Sequence, residues 1–93
     1  MDVEWDENKR LANLTEHGVD FRDAAQVFEG VVLEAADTRI EYGEQRFRAL
    51  GQVGRDFIMV AYTWRGEKRR IISAWKVDDE GRRRYAAILA GRT

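Results

Sequence analysis

Residues 56–64, DFIMVAYTW, are apolar at almost every position. A short apolar run without alternation is typical of a central β-strand whose two faces are both covered. It lies between two turn-like segments, GR at 54–55 and RGEK at 65–68. The segments beyond these turns, RFRALGQV at 46–53 and RRIISAWKV at 69–77, can therefore pair with it. The sequence predicts a three-stranded antiparallel meander with the apolar strand in its middle.

Two helices are predicted before this meander. Asp6 suits the N-cap of a first helix from about Glu7 to His17, because a carboxylate can accept the backbone N–H groups that a helix start leaves unpaired. Gly18 suits the left-handed residue that ends many helices, and Asp20 then caps a second helix that Gly30 ends. The apolar side of the first helix is assigned to Leu11, Ala12 and Leu14, and that of the second to Phe21, Ala24, Ala25 and Phe28.

A third helix is predicted after the meander. Asp78 or Asp79 caps it, and its apolar stripe consists of Tyr85, Ile88 and Leu89. A short strand at 31–35, VVLEA, precedes the meander, and another at Val3–Trp5 is optional. The expected fold is an α+β single domain over residues 1–93, with two N-terminal helices, an antiparallel sheet of three to four strands and a C-terminal helix.

The composition excludes several kinds of site. The chain has no cysteine and one histidine, His17, which excludes disulfides, thiolate zinc sites and histidine-rich metal sites. We therefore expect no metal and no cofactor. No apolar run approaches the roughly 18 residues that a membrane span needs, and the opening MDVEWDENKR is not a secretory signal. The expected location is the cytoplasm, away from membranes.

Charge is distributed unevenly along the chain. Residues 1–45 contain 12 acidic and 4 basic residues, whereas residues 46–93 contain 5 acidic and 12 basic ones. Ten of those bases are arginines, whose planar guanidinium matches a phosphate group. The basic half can therefore bind a polyanion such as RNA. The alternative is that its side chains only form ion pairs with the acidic half.

Several segments together resemble the BrnT family, the toxins of the BrnT–BrnA type of bacterial toxin–antitoxin pair. They are WDENKRLANLTEHGVDFRDAAQVF at 5–28, DTRIEYGEQRFRALG at 37–51, RRIISAW at 69–75 and RRRY at 82–85. Their order and spacing over nearly the whole chain make the match specific. The chain departs from the family pattern at Trp75, where an arginine is usual, and at Gly81, where a glutamate is frequent.

The resemblance implies a fold like that of RelE-type toxins and an endoribonuclease activity that inhibits translation. It also implies a BrnA-like antitoxin, which neutralises the toxin and supplies the contacts with operator DNA. The resulting hypothesis is a metal-independent endoribonuclease of a type II toxin–antitoxin system. An alternative from another class is a binding module whose catalytic set is eroded, as Trp75 and Gly81 permit, and which pairs with an antitoxin without cutting RNA.

A metal-free ribonuclease uses the 2′-hydroxyl of its substrate as the nucleophile. It needs groups that accept a proton, stabilise charge on the phosphate and protonate the leaving oxygen. His17 either takes part in this chemistry or only closes the first helix, and Tyr85 is either catalytic or part of the core. The candidate catalytic residues are His17, Glu44, Arg46, Arg70, Lys76 and Tyr85.

Four further residues are candidates for RNA binding. Arg48 shares the polar side of its strand with Arg46. Trp75 either stacks on an unpaired base or packs in the core. Arg83 and Arg84 belong to an arginine triplet that spans almost one helical turn, so its members cannot all point in one direction.

Overall fold

The computed structural model describes residues 2–38 and 43–91, with side chains up to residue 87. Part of the charged segment between the second strand and the meander, and the Ile88 and Leu89 side chains of the predicted stripe, lie outside the described residues. The elements, in chain order, are β1 (Val3–Trp5), α1 (Glu7–His17), α2 (Phe21–Ala24) with a 3₁₀ helix (Ala25–Glu29), β2 (Val32–Ala36), β3 (Phe47–Val53), β4 (Asp56–Arg65), β5 (Lys68–Lys76) and α3 (Asp79–Gly91).

The strands form one five-stranded sheet in the order β1-β5-β4-β3-β2. The predicted meander β3-β4-β5 is confirmed, and β2 pairs antiparallel with β3. The expected strand count was wrong, and the sheet is mixed, because β1 pairs parallel with β5. A strand of three residues is too short to show an alternating pattern, so its place in the sheet is set by the partner strand. The likeness to the RelE-type fold stays a prediction.

Both predicted ends of the first helix and the predicted start of the second are confirmed. The Asp6 carboxylate accepts a hydrogen bond from the Lys9 N–H at 3.0 Å, and Gly18 adopts a left-handed conformation with φ of 69°. The Asp20 carboxylate accepts from the Arg22 N–H at 2.9 Å. The second helix is shorter than expected, since α2 ends at Ala24 and continues as the 3₁₀ helix.

The assignment of an apolar side to α1 was wrong. Leu11 and Leu14 are 50% and 41% exposed, whereas Asn13 is the buried residue of this helix. The Asn13 side chain donates to the carbonyl of Ala74 on β5 at 2.8 Å and accepts from the Ala74 N–H at 3.1 Å. Helix α1 is therefore joined to the sheet beyond the end of β1 by hydrogen bonds, which satisfy backbone groups that an edge strand leaves open.

The core lies on the sheet face that α2 and the 3₁₀ helix cover. Ala49, Val60 and Ala74 are neighbours across β3, β4 and β5, and all three are fully buried. Side chains of Phe21 and Val27 pack against this face. This side of the sheet is the core face.

The other face of the sheet is only partly covered, so the expectation that β4 is covered on both sides was wrong. Phe57, Met59 and Ala61 point to this second face and are half-buried. The edge of the Phe57 ring contacts Tyr85 of α3, with the ring centroids 5.4 Å apart. Helix α3 therefore covers one end of the second face and leaves the remainder open.

Candidate functional site

A groove of about 420 Å³ lies between α3 and the second face of the sheet. Its floor consists of the apolar side chains of Leu33, Leu50 and Met59, which are contributed by β2, β3 and β4. Two arginines, Arg48 from β3 and Arg84 from α3, also line it. An apolar groove with a few cationic groups is a typical arrangement for binding a flat ligand that carries negative charge.

Arg48 is the cation of this groove that has no partner in the described ranges. It lies between Ala35 on β2 and Ala61 on β4, whose small side chains leave room around it. Its Nε is buried, and neither a hydrogen bond nor an ion pair joins Arg48 to any described residue. A buried donor without an acceptor is costly and rare in a native structure, so the groove is suited to an anion that would satisfy it.

The arginine triplet diverges along α3. Arg84 lines the groove and forms an ion pair with Glu80 at 2.6 Å, while Arg82 pairs with Asp79 at 3.5 Å. Arg83 is exposed and has no ion pair with any residue in the described ranges. Exposed pairs of this kind within one helix contribute little to stability, so Arg84 can exchange Glu80 for another anion at small cost.

Tyr85 forms the wall of the groove that α3 provides. Its side chain is buried, and its hydroxyl donates to the Val31 carbonyl at 2.7 Å. The hydroxyl is thus committed to a contact that holds α3 against the chain just before β2. Of the two interpretations of Tyr85, this geometry favours packing.

Trp75 and His17 lie close together on the second face, at the β5 side of the sheet. Trp75 is the cross-strand neighbour of Met59, so it shares the face on which Arg48 lies. The ring centroids of His17 and Trp75 are 6.4 Å apart, and His17 is exposed. His17 ends α1, and the Asn13 contact with β5 brings that helix end to the sheet although the sequence separates the two widely.

The remaining candidates do not join this arrangement. Arg70 is bound to Glu4 of β1 at 2.6 Å. Glu44 lies 3.5 Å from the Nε of Arg46 and 3.7 Å from Arg65. Lys76 is the neighbour of Ile58 on the core face and pairs with Asp56 at 3.5 Å. The structure therefore brings Arg48, Arg84 and Tyr85 together, with Trp75 and His17 on the same side of the sheet.

A second polar cluster was not anticipated from the sequence. The hydroxyl of Tyr62 on β4 donates to Glu34 of β2 at 2.7 Å, and Arg69 of β5 donates to the same carboxylate oxygen at 3.2 Å. Burial, and then the hydrogen bond to Glu34, raise the pKa of Tyr62 to about 12. A tyrosine in a buried strand requires a partner for its hydroxyl, but the sequence does not say which residue supplies it.

Two kinds of site are not observed in the described part of the chain. Within residues 2–38 and 43–91, no three acidic, histidine or cysteine side chains are grouped so that they could hold a metal ion. No helix in these same ranges is long and apolar enough to cross a membrane.

Comparison with known proteins agrees with the resemblance seen in the sequence. The family model described as the ribonuclease toxin BrnT of type II toxin–antitoxin systems matches residues 5–88. The fold is similar to the 1.1 Å crystal structure of the Brucella abortus ribonuclease toxin BrnT, with a TM-score of 0.63 and 28% sequence identity over 85% of this chain and 99% of that one. No curated protein matches. The match over 5–88 shows that this chain belongs to the BrnT family of ribonuclease toxins from type II toxin–antitoxin systems.

Proposed function

We propose that this protein is the toxin of its pair and a metal-independent endoribonuclease that inhibits translation by cutting RNA. Family membership supports the toxin role and, at the level of the family, the ribonuclease activity. The observation that carries the proposal for this chain is the buried Nε of Arg48, which has no acceptor among the described residues, in a groove that Arg84 also lines. A phosphate of the RNA backbone has the charge and the geometry to bind both guanidinium groups.

The groove and Trp75 together suit a short single-stranded segment. Arg48 and Trp75 lie on β3 and β5, two interstrand spacings apart and displaced by two residues along the strands, or about 12 Å, and both belong to the second face. In the proposed complex the phosphate binds at Arg48 while a neighbouring base stacks on Trp75, a contact that typically contributes about 1–3 kcal/mol. In this proposal Arg48 binds the charged backbone and Trp75 binds a base.

The proposed chemistry depends on the 2′-hydroxyl of the substrate. Arg48 and Arg84 stabilise the negative charge that develops on the phosphate during attack, an effect that is usually worth about 10²–10³ in rate for each donor. His17, exposed beside Trp75, is the proposed proton acceptor for the 2′-hydroxyl, and solvent water protonates the leaving 5′-oxygen. Arg70 supports binding through its charge, although its half-buried pair with Glu4 partly neutralises that charge.

Other candidates contribute differently in this proposal. Arg46, Lys76 and Glu44 do not line the groove, so they act through the field of the protein and make no contact with the reacting phosphate. Arg83 is an exposed cation on α3 near the groove and steers RNA towards it. Tyr85 keeps α3 in place and so preserves the shape of the groove.

The partner proposed is a BrnA-like antitoxin that covers the groove and α3. An amphipathic segment with acidic residues would match both the apolar floor and the two arginines. Operator DNA is contacted only through that antitoxin. The proposed substrate places the action of the toxin in the cytoplasm.

The direct test is to incubate the purified protein with total RNA and follow the appearance of fragments. Cleavage by the wild type and its loss in Arg48→Ala are expected, whereas Arg55→Ala, in the exposed turn between β3 and β4, should cut normally. Expression without an antitoxin should likewise arrest growth, and Arg48→Ala should relieve the arrest. Intact RNA and normal growth with the soluble wild-type protein would refute the proposal.

A second candidate function is favoured by the ion pairing of the basic residues. Four cations of the later half bind carboxylates of the earlier half: Arg46 and Arg65 with Glu44, Arg69 with Glu34, and Arg70 with Glu4. This pairing suits a module that binds an antitoxin without cutting RNA. The same incubation decides between the two functions, because such a module binds the antitoxin and leaves RNA intact.

A further inference from the structure

A second cavity, of about 310 Å³, lies at the edge of the core face and shares Glu34 and Ala35 of β2 with the groove of Arg48. Its walls are Glu34, Ala35, Ala36, Phe47, Tyr62 and Trp64. Trp64 is 42% exposed, which is unusual for the largest apolar side chain. A rigid aromatic surface that stays open to solvent is a feature of sites that bind flat ligands.

Arg69 lies over the ring of Trp64, which lines this cavity, and over that of Phe28, which does not. Its guanidinium carbon lies 4.4 Å from the ring centre of Phe28 and 4.7 Å from that of Trp64. Tyr62 stacks on Phe47 with a centroid distance of 5.6 Å and meets Trp64 edge to face at 6.1 Å. The aromatic wall is thus formed before a ligand arrives, so binding needs little reorganisation.

The Glu34 carboxylate, which lines this cavity, has one oxygen that accepts no hydrogen bond from any described residue. Its Oε1 accepts from Tyr62 at 2.7 Å and from Arg69 at 3.2 Å, which fixes the orientation of the carboxylate. Its Oε2 accepts no hydrogen bond from the residues that the structure describes. A carboxylate offers about four lone-pair positions, so Oε2 is free to accept from a ligand.

We propose that this cavity is a nucleobase pocket and that it selects guanine. The open oxygen of Glu34 accepts N–H donors and repels phosphate, so it suits a base edge rather than the RNA backbone. Guanine presents two adjacent donors, its N1–H and its 2-amino group, whereas each other base presents fewer on that edge. Trp64 or Phe47 supplies the surface on which the ring stacks.

The pocket can serve the same RNA strand as the groove. Both cavities are lined by Glu34 and Ala35 of β2, which is the edge strand of the sheet. A strand with its phosphate at Arg48 can pass over this edge and place one base beside Trp64. The inference therefore rests on the proposed ribonuclease function, and it adds that cleavage occurs near a guanosine.

The test is to titrate the wild-type protein separately with GMP, IMP and AMP, following the indole N–H resonance of Trp64 by NMR. GMP should bind tightest. IMP, which lacks only the 2-amino group, should bind about tenfold more weakly, the usual effect of losing one hydrogen bond to a charged group. Equal affinities for GMP and AMP, or a Trp64 resonance that none of the three shifts, would overturn the inference.

Two variants test the role of Glu34. In Glu34→Gln the preference for GMP over IMP should disappear, while Glu67→Gln, an exposed glutamate in the β4–β5 turn, should keep it. Unchanged preference in Glu34→Gln would overturn the inference. If Glu34→Gln does not fold, as judged by circular dichroism, the ranking of nucleotides by the wild type decides alone.

The outcomes separate this inference from the ribonuclease proposal. RNA cleavage by a protein that does not prefer GMP would leave the ribonuclease proposal standing and remove the guanine pocket. Preferential GMP binding at Trp64 with total RNA left intact would support the pocket and remove the ribonuclease proposal.

Discussion

Asn13 and Ala74, 61 positions apart in sequence, are joined by a pair of hydrogen bonds in which the side chain of Asn13 binds both backbone polar groups of Ala74. The amide nitrogen of Asn13 also donates to the Val19 carbonyl at 2.9 Å. One buried side chain thus takes the place that another strand would occupy beside β5. It also sets the position of His17, which ends the same helix near Trp75.

Replacing Asn13 should destabilise the protein strongly. Asn13→Ala leaves the N–H and carbonyl of Ala74 buried without partners, and each unsatisfied group costs about 1–3 kcal/mol, so we expect a loss of about 2–6 kcal/mol. Urea unfolding of both proteins measures this loss. The control is Asn8→Ala on the exposed side of α1, which should change stability little. Equal effects of the two substitutions would contradict the bridging role of Asn13.

The close approach of Gly51 to the 3₁₀ helix should make it intolerant of any side chain. A Cβ at Gly51 would lie 2.8 Å from Cγ1 of Val27, a residue that is almost completely buried. Gly51→Ala should therefore lower the free energy of unfolding by about 1–3 kcal/mol, as overpacking of a core usually does. Gly30→Ala is the control, because nothing lies within 4 Å of its Cβ position. Thermal unfolding of the two variants should separate them clearly.

The fold was predictable from the sequence where local chemistry decides it. Asp6 and Gly18 carry the cap signals, and the two glycine turns flank an apolar strand, so α1 and the meander follow from neighbouring residues. Strand β1 could not be predicted from neighbouring residues, because its three residues pair with β5 residues that lie more than 60 positions later in the sequence. The burial of Asn13 was not predicted, because the helical pattern used to assign the buried side of α1 counts only apolar side chains.

The candidate site was predictable in its residue types and not in their grouping. A count of arginines cannot distinguish Arg48, which has no partner among the described residues, from Arg70, which binds Glu4 across two paired strands. The distinction depends on which carboxylate lies opposite each cation, and the pairing of β1 with β5 sets that for Arg70. The Glu34–Tyr62 contact depends in the same way on the order of β2, β3 and β4.

Asp20 should make the stability of the protein sensitive to acid. Its hydrogen bond from Arg22, with the nearby charge of Arg10, lowers the pKa of this carboxyl from 3.8 to about 2. Because the pKa is depressed in the folded state, the stabilisation is complete above pH 3.8 and is lost as the pH falls towards 2. Urea unfolding between pH 6 and pH 2 measures this loss.

The variant Asp20→Asn isolates that contribution. Asparagine can still cap α2 but carries no charge, so the variant should be less stable than the wild type at neutral pH and should lose less stability between pH 4 and pH 2. Asp23→Asn, an exposed position of the same helix, serves as the control and should keep the acid dependence of the wild type. An identical acid dependence of Asp20→Asn and the wild type would show that the ion pairs of Asp20 do not stabilise the fold.

Replacing Arg48 should maintain or increase the stability of the protein and decrease its affinity for RNA. Its buried Nε has no acceptor among the described residues, and leaving such a donor unsatisfied costs about 1–3 kcal/mol. Arg48→Met has a similar length and no polar atom to satisfy, so the free energy of unfolding should stay equal or rise by about 1–2 kcal/mol. The affinity of Arg48→Met for single-stranded RNA should be at least about tenfold lower than that of the wild type, because a charge-assisted contact with phosphate is lost.

Arg83→Met provides the matched comparison, because Arg83 is an exposed cation whose side chain makes no ion pair in the described part of the chain. It removes the same charge, so it should weaken RNA binding only through the general field and leave stability nearly unchanged. Urea unfolding and RNA binding at two salt concentrations, measured on both variants, give the comparison. A marked loss of stability in Arg48→Met would mean that the guanidinium is a structural element of the sheet, and the groove would then need another residue to bind phosphate.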